Sequence, residues 1–310
     1  MSTDVLLYLA AFGGGFLGAA FGALVAFVFT GVALLIGIAA LIGTSDPAFI
    51  DTIAFGPILG PHVCFAGAAA AAAFAARMGW LETGRDVATP LVKLARPVVL
   101  LVGGVFGVFG IVVVQLIRLV PWFGANTDAV AMTIVVSGLT VRLTFGRAGV
   151  IGRHAEGLTG LARFRPNDTY NWSRCQESWP VAASLGVGIG LLSASAAVFL
   201  IGAYPQASLV ILLGFALSAT SLAFMAVGIA VPVTHHITLI SALAAADFLG
   251  VTGSPVAAVL IGAVFGGLAA LLAEVFSRLW LIRADTYIDP PSSAIWPMTT
   301  VVMGLAAVLA

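Results

Sequence analysis

Two histidine-bearing segments are the parts of this chain whose residue types and spacing could do chemistry in apolar surroundings. In each segment, proline interrupts an apolar stretch and histidine precedes a run of small residues that is typical of a helix. The first contains Pro57, Pro61 and His62, and the second contains Pro232, Thr234, His235, His236 and Thr238. Histidine titrates close to neutral pH, so it can bind a polar solute or carry a proton. We expect these residues to line a substrate or ion path.

The place of these histidines at the start of a helix favours that interpretation. The first turn of a helix leaves several N–H groups without partners and carries partial positive charge. Interrupted helices at matching positions in two halves of a chain are a strong sequence indication of a transport site. The alternative is that both segments are ordinary helix starts at the membrane surface, with His62 and His236 in the headgroup layer.

Three more polar residues in apolar stretches are secondary candidates: Gln115, Glu274 and Cys64. Glu274 lies four residues before Arg278, so an ion pair is the alternative to a proton-coupling role. His62 and Cys64 are two residues apart and face different sides of a helix, so no metal site is predicted. The sequence contains no zinc-protease, hydrolase or nucleotide-binding motif. We therefore predict neither enzymatic activity nor a cofactor, and no catalytic residue.

The composition places these candidates in a membrane protein. Hydrophobic residues make up 61% of the chain and charged residues 8%, whereas soluble domains are about 45–50% apolar and about 25% charged. Long continuous apolar runs favour helices over the alternating strands of a barrel. The expected partner is the lipid bilayer of the cell (inner or plasma) membrane. Because the formal net charge is zero, nucleic acid is not an expected partner.

Ten apolar runs predict an all-α, polytopic protein with about ten transmembrane helices. The runs cover residues 5–27, 29–43, 61–78, 95–118, 127–146, 180–201, 209–230, 233–249, 255–280 and 293–310. About 20 apolar residues cross a bilayer, so the short second, third and eighth runs are expected to include broken or re-entrant segments.

The predicted helices divide into two similar sets of five. Residues 132–139 read MTIVVSGL and residues 298–305 read MTTVVMGL, and a second similar pair begins at Pro97 and Pro255. We expect a first membrane repeat at 1–146, a cytoplasmic linker at 147–179 and a second membrane repeat at 180–310.

An odd number of helices per repeat forces the copies into opposite orientations, which predicts a 5+5 inverted-topology repeat. With the N-terminus outside, every one of the 13 basic residues except Arg118 lies in or beside an inner loop. Positive charge favours the cytoplasmic side, so both termini are expected outside. Glycine stripes, such as those around Gly14, Gly18, Gly186 and Gly190, predict close helix crossings or a homo-oligomer.

Two segments of the first repeat carry a resemblance to known sequences. Residues 10–24 read AAFGGGFLGAAFGAL and residues 54–67 read AFGPILGPHVCFAG. They resemble an uncharacterised prokaryotic family of polytopic, permease-like membrane proteins. The resemblance implies a membrane protein of this general kind, without an established substrate or site residues.

Together these patterns predict an integral membrane transporter or channel with its path at the interface of two inverted repeats. Because buried charge is scarce, the expected cargo is a small neutral or weakly charged solute or an ion. The alternative is a non-transporting membrane scaffold or a subunit of a larger membrane complex, which would have a fully packed repeat interface.

Overall fold

The computed structural model describes residues 4–153, 157–166 and 174–310. In this part of the chain there are eleven α-helices and no β-strand. The helices are α1 (Val5–Phe21), α2 (Ala23–Thr44), α3 (Cys64–Arg77), α4 (Pro97–Arg118), α5 (Ala129–Thr144), α6 (Trp179–Ala203), α7 (Leu213–Ser221), α8 (Ala223–Ala226), α9 (His235–Thr252), α10 (Pro255–Trp280) and α11 (Pro290–Leu309). Seven helical stretches are long and apolar enough to cross a membrane: Ala23–Thr44, Pro97–Arg118, Trp179–Ala203, Ser208–Ala226, His235–Thr252, Pro255–Trp280 and Pro290–Leu309.

Each predicted span overlaps a helix of the described chain, but the lengths of the first two were predicted wrongly, because α1 has 17 residues and α2 has 22. Gly22 has a φ of 87° and separates α1 from α2 within an uninterrupted apolar run. As a result α2 is 22 residues long, and the prediction of a short second span is wrong. Hydropathy cannot place such a boundary because both sides of it are apolar. The shorter apolar helices are α1, α3 and α5, and ten crossings in a 5+5 arrangement stay a prediction.

The helix starts follow from local sequence. The carboxylates of Asp4, Asp128 and Asp289 accept hydrogen bonds from N–H groups in the first turns of α1, α5 and α11. Pro97 and Pro255 begin α4 and α10. Proline fits there because the N–H that it lacks has no helical partner at that position.

Each half of the protein contains a group of three helices that pack closely against one another. Helices α1, α3 and α4 pack against one another in the first half, and α6, α9 and α10 do so in the second. Glycines permit these crossings, since Gly15 of α1 lies against Gly103 of α4, and Gly186 of α6 lies against Gly267 of α10. The halves meet where α2 packs on α7 and where α5 packs on α11.

The predicted glycine stripes pack mainly within the chain. A side chain at Gly14 would overlap the carbonyl oxygen of Ile58, and one at Gly18 would overlap that of Cys64. A side chain at Gly190 would contact the Ser241 hydroxyl of α9. Because these faces are occupied, a homo-oligomer would have to use other surfaces, and its existence stays a prediction.

We name the two ends of the molecule the Arg85 end and the Arg118 end. At the Arg85 end, α2 begins beside Val87, whose carbonyl accepts from the Leu24 amide (2.8 Å). Arg85 donates to the Leu281 carbonyl (2.9 Å), so the loop between α10 and α11 lies at this end too. Helix α4 starts at this end and finishes at Arg118 after 22 residues, which is about 33 Å at 1.5 Å per residue.

Candidate functional site

A cavity of about 590 Å³ lies between the two halves. Its walls come from α2, α3 and α5 of the first half and from α7, α9 and α11 of the second. It is lined at the Arg85 end by Glu82, Thr83, Arg85 and Asp86, and at the Arg118 end by Asp51, Arg118 and Asp128. The lining of this cavity therefore includes residues from both ends of the molecule.

Aromatic rings form a continuous part of the cavity wall. The centroid of the Phe27 ring is 6.0 Å from that of Phe65 and 5.9 Å from that of Phe215. Phe65 is 6.1 Å from Tyr287, and Phe215 is 5.8 Å from Phe55. These separations are those of direct aromatic contacts. We name these five residues the aromatic wall.

Among the described histidines, His235 is the one that lines the cavity. It is 6% exposed, and its ring lies 4.8 Å from Phe27 and 5.6 Å from Phe215. Its Nδ1 atom has no hydrogen-bond partner among the described residues. A buried polar atom without a partner is costly. His235 is therefore a buried polar side chain in a largely aromatic part of the cavity wall.

The other predicted path residues lie around this cavity. Pro61 forms part of its wall together with His235, so the structure brings both irregular segments to one cavity. His62 and His236 are each 1% exposed and are not among the wall residues. The remaining predicted path residues, also outside the wall, are Pro57, Pro232, Thr234 and Thr238. A role for His62 and His236 in binding stays a prediction.

Hydroxyl groups hold the irregular segment before each histidine. In the first half, the Thr30 hydroxyl donates to the Leu59 carbonyl (2.5 Å), and the Cys64 thiol donates to the same oxygen (3.2 Å). In the second half, the Ser218 and Thr234 hydroxyls are hydrogen-bonded to each other (2.6 Å). Irregular backbone at membrane depth needs such protein partners because lipid supplies none. Cys64 thus supports the irregular segment and does not line the cavity.

Two secondary candidates, Glu274 and Gln115, also lie outside the cavity wall. Glu274 accepts from the Arg278 Nε atom at 2.7 Å, so the ion pair expected one turn apart is present. Arg278 also donates to the Glu177 carbonyl (2.7 Å) and lies over the Trp179 ring (4.1 Å). The pair therefore ties the end of α10 to the start of α6.

Sequence reasoning misses Gln176, which lies in the predicted linker and is buried. Its side-chain amide donates to the Val233 carbonyl (3.0 Å) and accepts from the Val233 N–H (2.8 Å). It therefore fixes the backbone two residues before His235. No local signal marks this glutamine, because the two partners are 57 residues apart in the chain.

Replacing Gln176 with leucine is expected to lower the apparent melting temperature of the detergent-solubilised protein. The change leaves the buried N–H and C=O of Val233 without their partner, at a cost of about 1–3 kcal/mol each. The matched control is Gln206→Leu, at an exposed turn, which is expected to leave the melting temperature unchanged. Equal losses in both variants, measured by scanning fluorimetry, would contradict a specific role for Gln176.

Sequence reasoning also misses Asp289, a buried carboxylate in the cavity wall. It accepts from the Ser292 N–H (2.8 Å), the Ser292 hydroxyl (2.5 Å) and the Tyr287 hydroxyl (3.3 Å). Burial raises the pKa of Asp289, and the Ser292 hydrogen bonds oppose that rise. Among the described residues, no Lys or Arg lies within ion-pair distance of it. An aspartate directly before two prolines and an apolar run is a helix-start signal that could have identified it.

The helices and the cavity define an all-α membrane protein with seven candidate spanning helices. A protein-family model described as a family of unknown function (DUF7973) matches residues 1–171 and 167–310. The chain belongs to this family. No curated protein and no solved structure matches it. The expected prokaryotic and permease-like character of the family stays a prediction.

Proposed function

We propose that this protein is an integral membrane transporter or channel and that the cavity between its halves is the path. The observation that carries the proposal is a single cavity that is lined at both ends of the molecule and touches both irregular segments, through Pro61 and His235. A non-transporting scaffold, which is the alternative, has no use for such a space, because packed interfaces leave few voids. The proposed cargo is a small neutral or weakly charged solute or an ion.

We further propose that the halves are inverted repeats. The packing of α1, α3 and α4 has its counterpart in α6, α9 and α10. Two sets of residues share one spacing: Leu24, Phe27 and Thr30 in α2, and Leu212, Phe215 and Ser218 at α7. Equivalent residues of two copies meet on the axis that relates them, and Phe27 contacts Phe215 while Gly31 lies against Ala219. The two family matches also adjoin in the predicted linker.

The proposed orientation places the Arg85 end in the cytoplasm of a cell with an inner or plasma membrane. The loops at this end, residues 78–96 and 281–289, carry basic residues, whereas Arg118 lies at the other end. Positive charge favours the cytoplasmic side. Thr300 in α11 donates to Thr127 at the Arg118 end (2.8 Å), which supports a C-terminus on the outer side.

Flux through reconstituted vesicles tests the proposal. Purified protein in proteoliposomes is expected to accelerate swelling with some members of a panel of small neutral solutes and monovalent ions. Val130→Trp, which fills the cavity, is expected to reduce that flux at least tenfold, since Val130 lines the cavity. Leu143→Trp lies in the same helix on an exposed face and is the control. Unchanged flux in a folded Val130→Trp variant would contradict the proposed path.

His235→Leu belongs in the same assay. It replaces the imidazole ring with an apolar side chain of similar size and so removes both ring nitrogens. A tenfold loss of flux is expected. His236→Leu is the matched comparison, because His236 is also buried and lies outside the wall. Flux that depends on His236 and not on His235 would move the binding site away from this cavity.

A further inference from the structure

Carboxylates outnumber guanidinium groups among the residues that line the cavity. The carboxylates are Asp51, Glu82, Asp86, Asp128 and Asp289, and the guanidinium groups are Arg85 and Arg118. Arg85 is engaged with the Leu281 carbonyl (2.9 Å), and Arg118 is exposed at the opposite end. The formal charge of the lining is therefore negative, which favours a positively charged occupant.

The most buried of these carboxylates lies next to the aromatic wall. Asp289 is 8% exposed, and Tyr287, whose hydroxyl reaches it at 3.3 Å, is part of that wall. From Tyr287 the rings continue through Phe65 and Phe27 to His235, with centroid separations of 6.1, 6.0 and 4.8 Å. A ligand in the cavity therefore meets one buried carboxylate, several aromatic rings and the His235 side chain.

Given the proposed function, on which this inference rests, we propose that the cargo is a small organic cation of the ammonium class. Its positive charge lies against Asp289 and the aromatic wall, and a polar substituent reaches His235. Asp289 is the counter-ion, and Phe65 and Tyr287 supply the ring faces. No covalent step is involved, because binding uses charge, ring contacts and a hydrogen bond.

An alkylated ammonium fits this lining better than the other ions. Such cations are recognised by cages of aromatic rings, where the negative ring face attracts the charge and the alkyl groups bury against carbon. Inorganic cations instead require several oxygen or nitrogen ligands at fixed distances. Among the described residues no three His, Cys, Asp or Glu side chains form such a group. An anion would be repelled by the carboxylates and the ring faces.

Binding of a charged solute and of its neutral isostere separates charge recognition from simple burial. The probes are choline and 3,3-dimethylbutan-1-ol, which have the same shape and differ in the charge of one central atom. Isothermal titration of the detergent-purified, full-length protein is expected to show choline binding at least tenfold tighter than binding of the alcohol. Equal affinities for the two would overturn the inference.

Three variants test which residues bind choline. Asp289→Asn retains helix capping, because asparagine caps as well as aspartate does, and is expected to weaken choline binding at least tenfold. Asp4→Asn makes the same change at the exposed cap of α1 and is expected to have no effect. Phe65→Leu keeps apolar bulk without a ring face, so it is expected to weaken choline binding and leave binding of the alcohol unchanged. Unaltered choline binding in a folded Asp289→Asn protein would overturn the inference.

The same proteins separate this inference from the transport proposal. If choline binds through Asp289 but no solute crosses in proteoliposomes, transport fails and the cation site stands. If neutral solutes cross through the cavity and choline does not bind, the path stands and the cation site fails.

Discussion

Replacing Arg142 with leucine is expected to lower the free energy of unfolding by about 3 kcal/mol or more, because several hydrogen bonds to a buried charged group are lost. Arg142 is 2% exposed at the end of α5. Its guanidinium donates to the Thr286 hydroxyl (2.8 Å), the Thr286 carbonyl (2.6 Å) and the Val150 carbonyl (2.8 Å). One side chain therefore joins α5 to the loop before α11 and to the chain that follows α5.

The expected readout is a drop of several degrees in the melting temperature of the purified protein. Arg147→Leu is the matched control, because Arg147 is exposed and its guanidinium makes a long hydrogen bond to the Arg77 carbonyl (3.4 Å). We expect that control to melt within about one degree of the unchanged protein, since exposed contacts contribute little. Equal melting temperatures for the Arg142 and Arg147 variants would show that the junction at α5 does not hold the fold.

Replacing Gly110 with leucine is expected to have the second large effect. A side chain at this position in α4 would overlap the carbonyl oxygen of His62. Because the neighbour is backbone, it cannot rotate away, so α4 must separate from the irregular segment before α3. Overpacking of this kind costs about 1–3 kcal/mol, and more where the backbone has to move.

Gly13→Leu is the control for this variant. No heavy atom lies within 4 Å of the Cβ atom that a residue at this position would carry, and Gly13 is exposed, so we expect leucine to be accommodated there. We expect Gly13→Leu to retain the melting temperature and the flux, and Gly110→Leu to lose both. A Gly110→Leu protein that keeps both properties would show that the segment around His62 does not need its close contact with α4.

The transport proposal and the cation inference concern the same cavity, but they are tested at different residues. The first requires that filling the cavity at Val130 stops flux. The second requires that removal of one charge at Asp289 discriminates between two solutes of equal shape. Arg142 and Gly110 do not line the cavity. Their variants therefore test the packing of the surrounding helices and leave the lining residues unchanged.

Local signals in the sequence were sufficient to locate the helices. Continuous apolar runs identify segments that bury in lipid, and Pro97 and Pro255 mark helix starts where proline is favoured. The boundary between the first two helices was predicted at residue 28 instead of Gly22, because the apolar run continues across Gly22 and only a φ angle of 87° divides the helices there. Hydropathy reports burial and carries no information on that angle.

The histidine-bearing segments were also recognisable from sequence, because proline, glycine and a polar residue together interrupt apolar helices. That pattern identified Pro61 and His235, both of which line the cavity. It could not separate them from His62 and His236, which are outside the wall. In α9 a shift of one residue turns a side chain by about 100°, so packing decides which of His235 and His236 faces the cavity. Pro61 and His62 lie in the turn before α3, where the backbone of the irregular segment decides it.

What the sequence determined by itself is an apolar all-α chain, the approximate position of its helices and the two places where those helices are interrupted, since each depends on residues close together in the chain. Only the tertiary structure decided the composition of the cavity. Gln176 meets Val233 across 57 residues, and Phe27, Phe65, Phe215 and Tyr287 form one surface from four separate segments. The chain has 20 phenylalanines, and no local pattern distinguishes those that line the cavity from those that face lipid, because both environments are apolar.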